Sequence, residues 1–188
     1  MYILKFVSID PASYRNCGWS IADIVDGTIH HIDAGVFVTA DVDELWKAYW
    51  PISQFVDKLL SDTKPDLVIV EKTSGFATGF VTGQVSHCMG VIFAACGKYN
   101  LNISFVMPTS VKMHVAGHGK VTKNQIEKAV KQYIGDELCT FSGDHAYDSV
   151  ANILYYLITR NMIPEITEYP WLTEKQLDTI RKRKKQCL

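Results

Sequence analysis

The chain has 188 residues, 47% of them hydrophobic, and a formal net charge of −1, enough apolar material for one globular domain with its own core. Its longest apolar runs, 91–96 and 153–158, stop well short of the roughly 18 residues that a membrane-spanning helix needs. The five cysteines Cys17, Cys88, Cys96, Cys139 and Cys187 are scattered, with no CxxC pair, so neither a disulfide framework nor a zinc knuckle is signalled and a reducing, cytoplasmic home is expected.

Residues 1–9 run into Asp10 with no basic leader or small-residue cleavage site, and read as a first strand. A turn-like stretch, 10–18, separates it from a second strand over 19–25. Asp26-Gly27 is a hairpin signal leading into a third strand over 28–38. Apolar positions at three-to-four spacing predict a helix over 43–60, bent or divided at Pro51 and ended by Lys64-Pro65. The short apolar run 66–70 is the pattern of a parallel strand buried on both faces, and it finishes at Glu71. A Thr/Ser/Gly-rich loop then leads into a helix over 79–99, whose small residues Gly83, Ser86, Gly90, Ala94, Ala95 and Gly97 permit close approach of another element. A fifth strand over 103–107 is stopped by Pro108. Helices follow over 110–116, 123–134 and 146–159, with a Gly117-His118-Gly119 break after the first. The order β-β-β-α-β-α-β-α-α makes an antiparallel meander extended by parallel strands through helical crossovers, a single α/β layer sandwich. The domain is expected to span 1–162, followed by an extension over 163–188 with a basic run from Arg181 to Lys185; its tail from Thr173 is either a short basic helix or disordered.

If strands one and four are parallel neighbours, Asp10 and Glu71 emerge at the same carboxyl edge, where open α/β sheets place their sites. At the start of the last helix, His145 and Asp148 lie one turn apart and Asp144 and Asp148 slightly more, so either pair can face the same way. Oxygen-rich clusters of this kind favour Mg²⁺, with Mn²⁺ as a substitute. Two such ions about 4 Å apart can ready a water on one side of a phosphodiester and steady the leaving 3′ oxygen on the other. In that scheme Asp10 bridges both ions, Glu71 and Asp148 each complete one, and His145 either ligates an ion or positions the water. Singly, each acid has a plainer account: turn chemistry at Asp10-Pro11, a surface acid at Glu71, an N-cap at Asp144. Together and in order they point to phosphodiester hydrolysis. Five lysines between residues 109 and 134, among them Lys112, Lys120 and Lys123, face one acid, Glu127, and suit phosphate contacts. His114 and His118 have the spacing of a zinc-binding helix, but Gly117 breaks the helix and no third ligand is near, so zinc is rejected.

Four segments, Ser-Ile-Asp10-Pro-Ala-Ser, Val-Ile-Val-Glu71, Pro108-Thr-Ser-Val-Lys112 through Lys123-Asn-Gln, and His145-Ala-Tyr-Asp148-Ser-Val-Ala, resemble the successive motifs of the RuvC-type Holliday junction resolvases across residues 1–160. The resemblance implies an RNase H-like fold with a mixed five-stranded sheet, three antiparallel strands then two parallel, flanked by helices. It also implies a Mg²⁺-dependent homodimeric endonuclease that resolves four-way DNA junctions by paired symmetric nicks. Lys112 and Lys123 match basic positions that touch DNA phosphates in that family. The loop after Glu71 is where such enzymes carry an aromatic wedge, Phe76 or Phe80 here. The family's last motif often has Asp where His145 stands; His145 is taken as the fourth ligand, with Asp144 as the alternative.

The resemblance leaves two other readings: the same fold and metals acting on forks, flaps or other branched nucleic acid, and an actin-like ATPase, which shares the strand-Asp-turn opening. The ATPase needs a second glycine-rich phosphate loop, and no Asp-Gly-Gly run exists. Two equivalent sites for two strands call for an isologous dimer, with the helix over 79–99 as its candidate surface.

Overall fold

A computed structural model of the chain describes residues 3–13, 15–39, 44–72 and 79–186, and the side chains of all of these but 45, 79–82 and 181–186. Five strands, β1 (Ile3–Asp10), β2 (Asn16–Val25), β3 (Thr28–Val38), β4 (Leu67–Glu71) and β5 (Ile103–Val106), form one sheet in the order β3-β2-β1-β4-β5. β1, β2 and β3 are antiparallel neighbours, and β4 and β5 add in parallel. At the β2–β3 turn Asp26 and Gly27 both have positive φ, 49° and 77°, the backbone a tight hairpin of matching twist demands.

Helices α1 (Leu45–Thr63) and α2 (Gly79–Lys98) pack on one face, and α3 (Pro108–Ala116), α4 (Lys123–Ile134) and α5 (Asp144–Thr159) on the other. Alternation along the strands sorts the core accordingly: Val7, Ile9, Val68 and Val70 face α1 and α2, while Phe6, Ala22 and Ile69 face α5. β4 is buried on both faces, as its unbroken apolar run implies. α5 is the central helix, touching β1, β2, β3 and β4 through Ala146, Val150, Ile153, Leu154 and Leu157.

Three local expectations are corrected. Pro51 does not divide α1, which runs through it; losing one backbone bond is outweighed by the apolar face that Ala48 buries before it and Ile52, Val56 and Leu60 after it. Pro108 opens α3 instead of merely ending β5, because a proline at the first helical position gives up an N–H that has no partner there anyway. β2 starts at Asn16, pairing Cys17 and Gly18 with β3, so the loop after Asp10 is shorter than the sequence suggests. The C-terminal extension carries a further helix, α6 (Glu174–Gln186). No helix among the described residues is long and apolar enough to cross a membrane.

Candidate active site

Asp10 is the last residue of β1, one step beyond the parallel pair Ile9↔Val70, which sets it beside Glu71 at the end of β4. The period-two alternation that sends Phe6 and Ile69 toward α5 sends Asp10 and Glu71 to the same face. The first turn of α5 closes over them. Asp10, His145 and Asp148 offer ligand atoms that all lie within 4.8 Å of one another, and His145 Nδ1 is 3.1 Å from Asp10 Oδ2.

Glu71 stands outside that triplet yet within its field. Burial first, then the charges of Asp10 and Asp148, push its carboxyl up to about 8, while Lys123 and Lys112 pull the other way. Asp148 is likewise raised, by burial above all, against the hydrogen bond and charge of Lys123. Lys123, at the start of α4, forms an ion pair with Asp148. Burial works against its charge, but the Asp148 bond and the neighbouring acids hold it above the ordinary lysine range. His145 is raised by its hydrogen bond to Asp10, partly offset by burial. Lys123 and His145 thus lie against Asp148 and Asp10, with Glu71 crowded beside them. This is a concentration of negative charge that a divalent cation would resolve, and its carboxylate and imidazole donors suit a hard ion. The donor set fits the metal.

Asp144 is exposed at the first position of α5 and is not its N-cap; that place is taken by Gly143, with φ 98° and no side-chain bond. It does not join the triplet. Lys112 is half-buried on α3, and Lys120 is exposed in the loop before α4. Phe76 lies outside the described residues. Phe80 has its backbone in the first turn of α2, and its side chain is outside them. His114 and His118 are separated by the end of α3 at Gly117, φ 80°. His114 Nδ1 is 2.9 Å from Ser110 O, and His118 Nδ1 accepts from Lys120 N.

The sequence reading missed what holds α5 against the sheet. Gly18 is the β2 partner of Asp10, and a Cβ there would run into the His145 carbonyl oxygen, with the carbonyl carbon 2.8 Å and the His145 Cβ 2.9 Å away. Below it, Ser149 Oγ donates to Ser8 O at 3.1 Å and is 3.0 Å from Ser20 Oγ. Small side chains on β1, β2 and α5 therefore let the helix come close enough for His145 and Asp148 to reach Asp10. The signal lay in the hairpin register that sets Gly18 and Ser20 opposite Asp10 and Ser8.

A family model described as crossover junction endodeoxyribonuclease RuvC matches residues 6–152. Among the most similar relatives, the RuvC of Rickettsia bellii is 25% identical over 155 residues, covering 82% of this chain and 98% of its own. That of Orientia tsutsugamushi is 31% identical over 127 residues, covering 66% of this chain and 78% of its own. Among solved structures, Thermus thermophilus RuvC in complex with Holliday junction substrate superposes with a TM-score of 0.74 at 19% identity, over 85% of this chain and 96% of that one. The matched fold is the five-stranded sheet described above, and the family model stops short of α6.

Proposed function

The chain belongs to the RuvC family of crossover junction endodeoxyribonucleases, and from that premise we propose that Asp10, Glu71, His145 and Asp148 are its active-site residues and hold two Mg²⁺ ions, with Mn²⁺ able to substitute. The activity is junction-selective cleavage of DNA. The observation that carries the residue assignment is the meeting of Asp10, His145 and Asp148 within 4.8 Å, with Glu71 in their field.

When bound, the ions supply the Lewis acidity that makes water a nucleophile near neutral pH and offsets charge on the leaving oxygen. Asp10, on β1 between β2 and β4, would hold the ions together with Glu71 and Asp148. Asp10 orients His145 through Nδ1, fixing the ring to ligate or to position the attacking water; Asp144 is the reserve ligand. Water oxygen bonds to phosphorus as the bond to the 3′ oxygen breaks, leaving a 5′ phosphate and a 3′ hydroxyl. Lys123 and Lys112, beside the acids, take the scissile phosphate's neighbours, and Lys120 the next phosphate out; Phe76 or Phe80 wedges into the crossover.

Two strands need two sites, and the dimer is assigned to α2. Ser86, Gly90 and Gly97 are exposed there, and a Cβ added at Gly83, Gly90 or Gly97 would meet nothing within 4 Å among the described residues, leaving room for a partner helix. The nuclease domain is placed at 1–162 with 163–188 as an extension. The buried free thiols Cys17, Cys88 and Cys96 fit a reducing cytoplasm.

The test is cleavage of a labelled four-way junction in Mg²⁺ and in Mn²⁺, beside a linear duplex, a fork and a flap. Paired nicks on the junction are expected, lost by at least about 10²-fold in Asp148→Asn with binding retained. Equal cutting by wild type and Asp148→Asn would remove Asp148 from the site.

A further inference from the structure

We infer that α6 is a DNA-binding arm, fixed beside the active site so that its cations grip backbone phosphates of a junction's duplex arm. This rests on the junction-DNA reading above. The helix lies past the end of the family match, so nothing in that match assigns it a role.

The first observation is that α6 is docked rather than tethered. Gln176 Nε2 donates to Lys120 O at 3.2 Å, and Gln176 Oε1 accepts from Gln125 Nε2 at 3.1 Å and from Thr173 N at 3.0 Å. Leu172 is buried, and Leu177 and Ile180 pack on the core beneath α3 and α4. Trp171 Nε1 donates to Ala116 O at 3.1 Å. The clip lands on Lys120, three residues before Lys123, whose ammonium pairs with Asp148. The first turn of α6 therefore abuts the loop that leads into the lysine-bearing wall of the site.

The second observation is charge. A groove of about 600 Å³ between α3 and α6 is lined by His118, Lys120, Lys175, Thr109 and Thr179, a set rich in donors. Beyond it the helix runs into Arg181, Lys182, Arg183, Lys184 and Lys185. α6 holds six cations against two acids, Glu174 and Asp178, in a chain whose net charge is −1. Five consecutive cations are spaced all the way round a helix by its 3.6-residue period, a sequence pattern that suits a polyanion better than a buried seam. At about 1.5 Å per residue the helix is about 20 Å long, close to six base pairs of duplex at roughly 3.4 Å each. The polyanion already required at the neighbouring acids is DNA.

The experiment compares the full chain with R181Q/K182Q/R183Q/K184Q/K185Q and, separately, K175Q; the first keeps Leu172, Gln176, Leu177 and Ile180, and circular dichroism verifies the fold of both. Binding is measured without Mg²⁺ across a salt series, on four-way junctions with long and with short arms. The five-fold variant is expected to weaken long-armed junction binding at least about tenfold and to flatten the slope of log K against log salt by about two or more. The loss should shrink as the arms shorten, and K175Q should fall between wild type and the five-fold variant. Unchanged affinity and slope, or an equal loss on short and long arms, would overturn the arm. Failure of wild type to cut or prefer junctions would instead overturn the reading beneath it.

Discussion

Gly18 and Asp10 face each other across β1 and β2, and the whole candidate site depends on the side chain that Gly18 lacks. The atoms a Cβ would strike belong to the backbone and Cβ of His145, not to the flexible end of a side chain, so relief requires the first turn of α5 to move. Gly18→Ala is therefore expected to cost about 1–3 kcal/mol, or a few degrees of melting temperature. It should also weaken Mn²⁺ binding, read by electron paramagnetic resonance, by at least about tenfold, because ligand atoms displaced by even half an ångström leave the productive geometry. Ser20→Ala removes a hydroxyl partner of Ser149 without a clash and should lose stability with a smaller change in metal affinity. A folded Gly18→Ala variant with wild-type Mn²⁺ affinity would sink the positioning argument. The places of Asp10, Glu71, His145 and Asp148 in the fold were legible in the sequence because each sits at the end of a strand or in the first turns of a helix that patterning locates. Their supports were harder to find: the β1–β2 register sets Gly18 and Ser20 opposite Asp10 and Ser8, but Ser149 is 129 positions from Ser20 and no local period links them.

Helix α4 shows how much an element declares about itself. Its sequence-predicted span of 123–134 is the observed one, because the apolar period is strong and both ends are punctuated. Thr122 Oγ1 accepts from Gln125 N at 3.3 Å while Gln125 Oε1 accepts from Thr122 N at 2.8 Å, a reciprocal cap. Pro51 and Pro108 were less legible, since proline's local rule is the same whether a helix continues through it, ends before it or begins at it, and packing decides. Gln125 does more than cap: its Nε2 donates to Trp171 O at 2.8 Å and to Gln176 Oε1 at 3.1 Å, tying α4 to the C-terminal extension. Thr122→Ala should therefore cost about 0.5–2 kcal/mol, the ordinary loss of a cap. Gln125→Ala should cost more, since it also removes two part-buried hydrogen bonds to Trp171 and Gln176, each worth about 0.5–1.5 kcal/mol, and should raise amide exchange in α6. Chemical denaturation ranks the two; if Thr122→Ala proved the more destabilising, the clip to α6 would carry no energy.

At the scale of the whole molecule, one sheet edge collects the acids that the rest of the fold must tolerate, and the outcome is a stability that depends on pH and on metal. In the folded chain Glu71 releases its proton at about 8, against an ordinary value of 4.5. Across that interval the folded state keeps a proton that the unfolded state has lost, so stability falls as pH rises. Asp148, raised by burial, acts with the same sign. His145, raised by Asp10, does too: its contribution is full below the unfolded histidine value and is lost as pH climbs through the folded one. The metal-free protein should therefore melt lower at about pH 8.5 than at about pH 6. A divalent ion competes with the same protons, because carboxylates and imidazole bind it only when deprotonated. The melting-temperature gain on adding Mg²⁺ should consequently be larger at about pH 8.5 than at about pH 6, and Glu71→Gln should shrink both the metal-free slope and that difference. Calorimetry at the two pH values, with EDTA and with Mg²⁺, measures both quantities. A Mg²⁺ gain that is the same at both pH values would mean that the protons on these residues and the metal do not compete for one site.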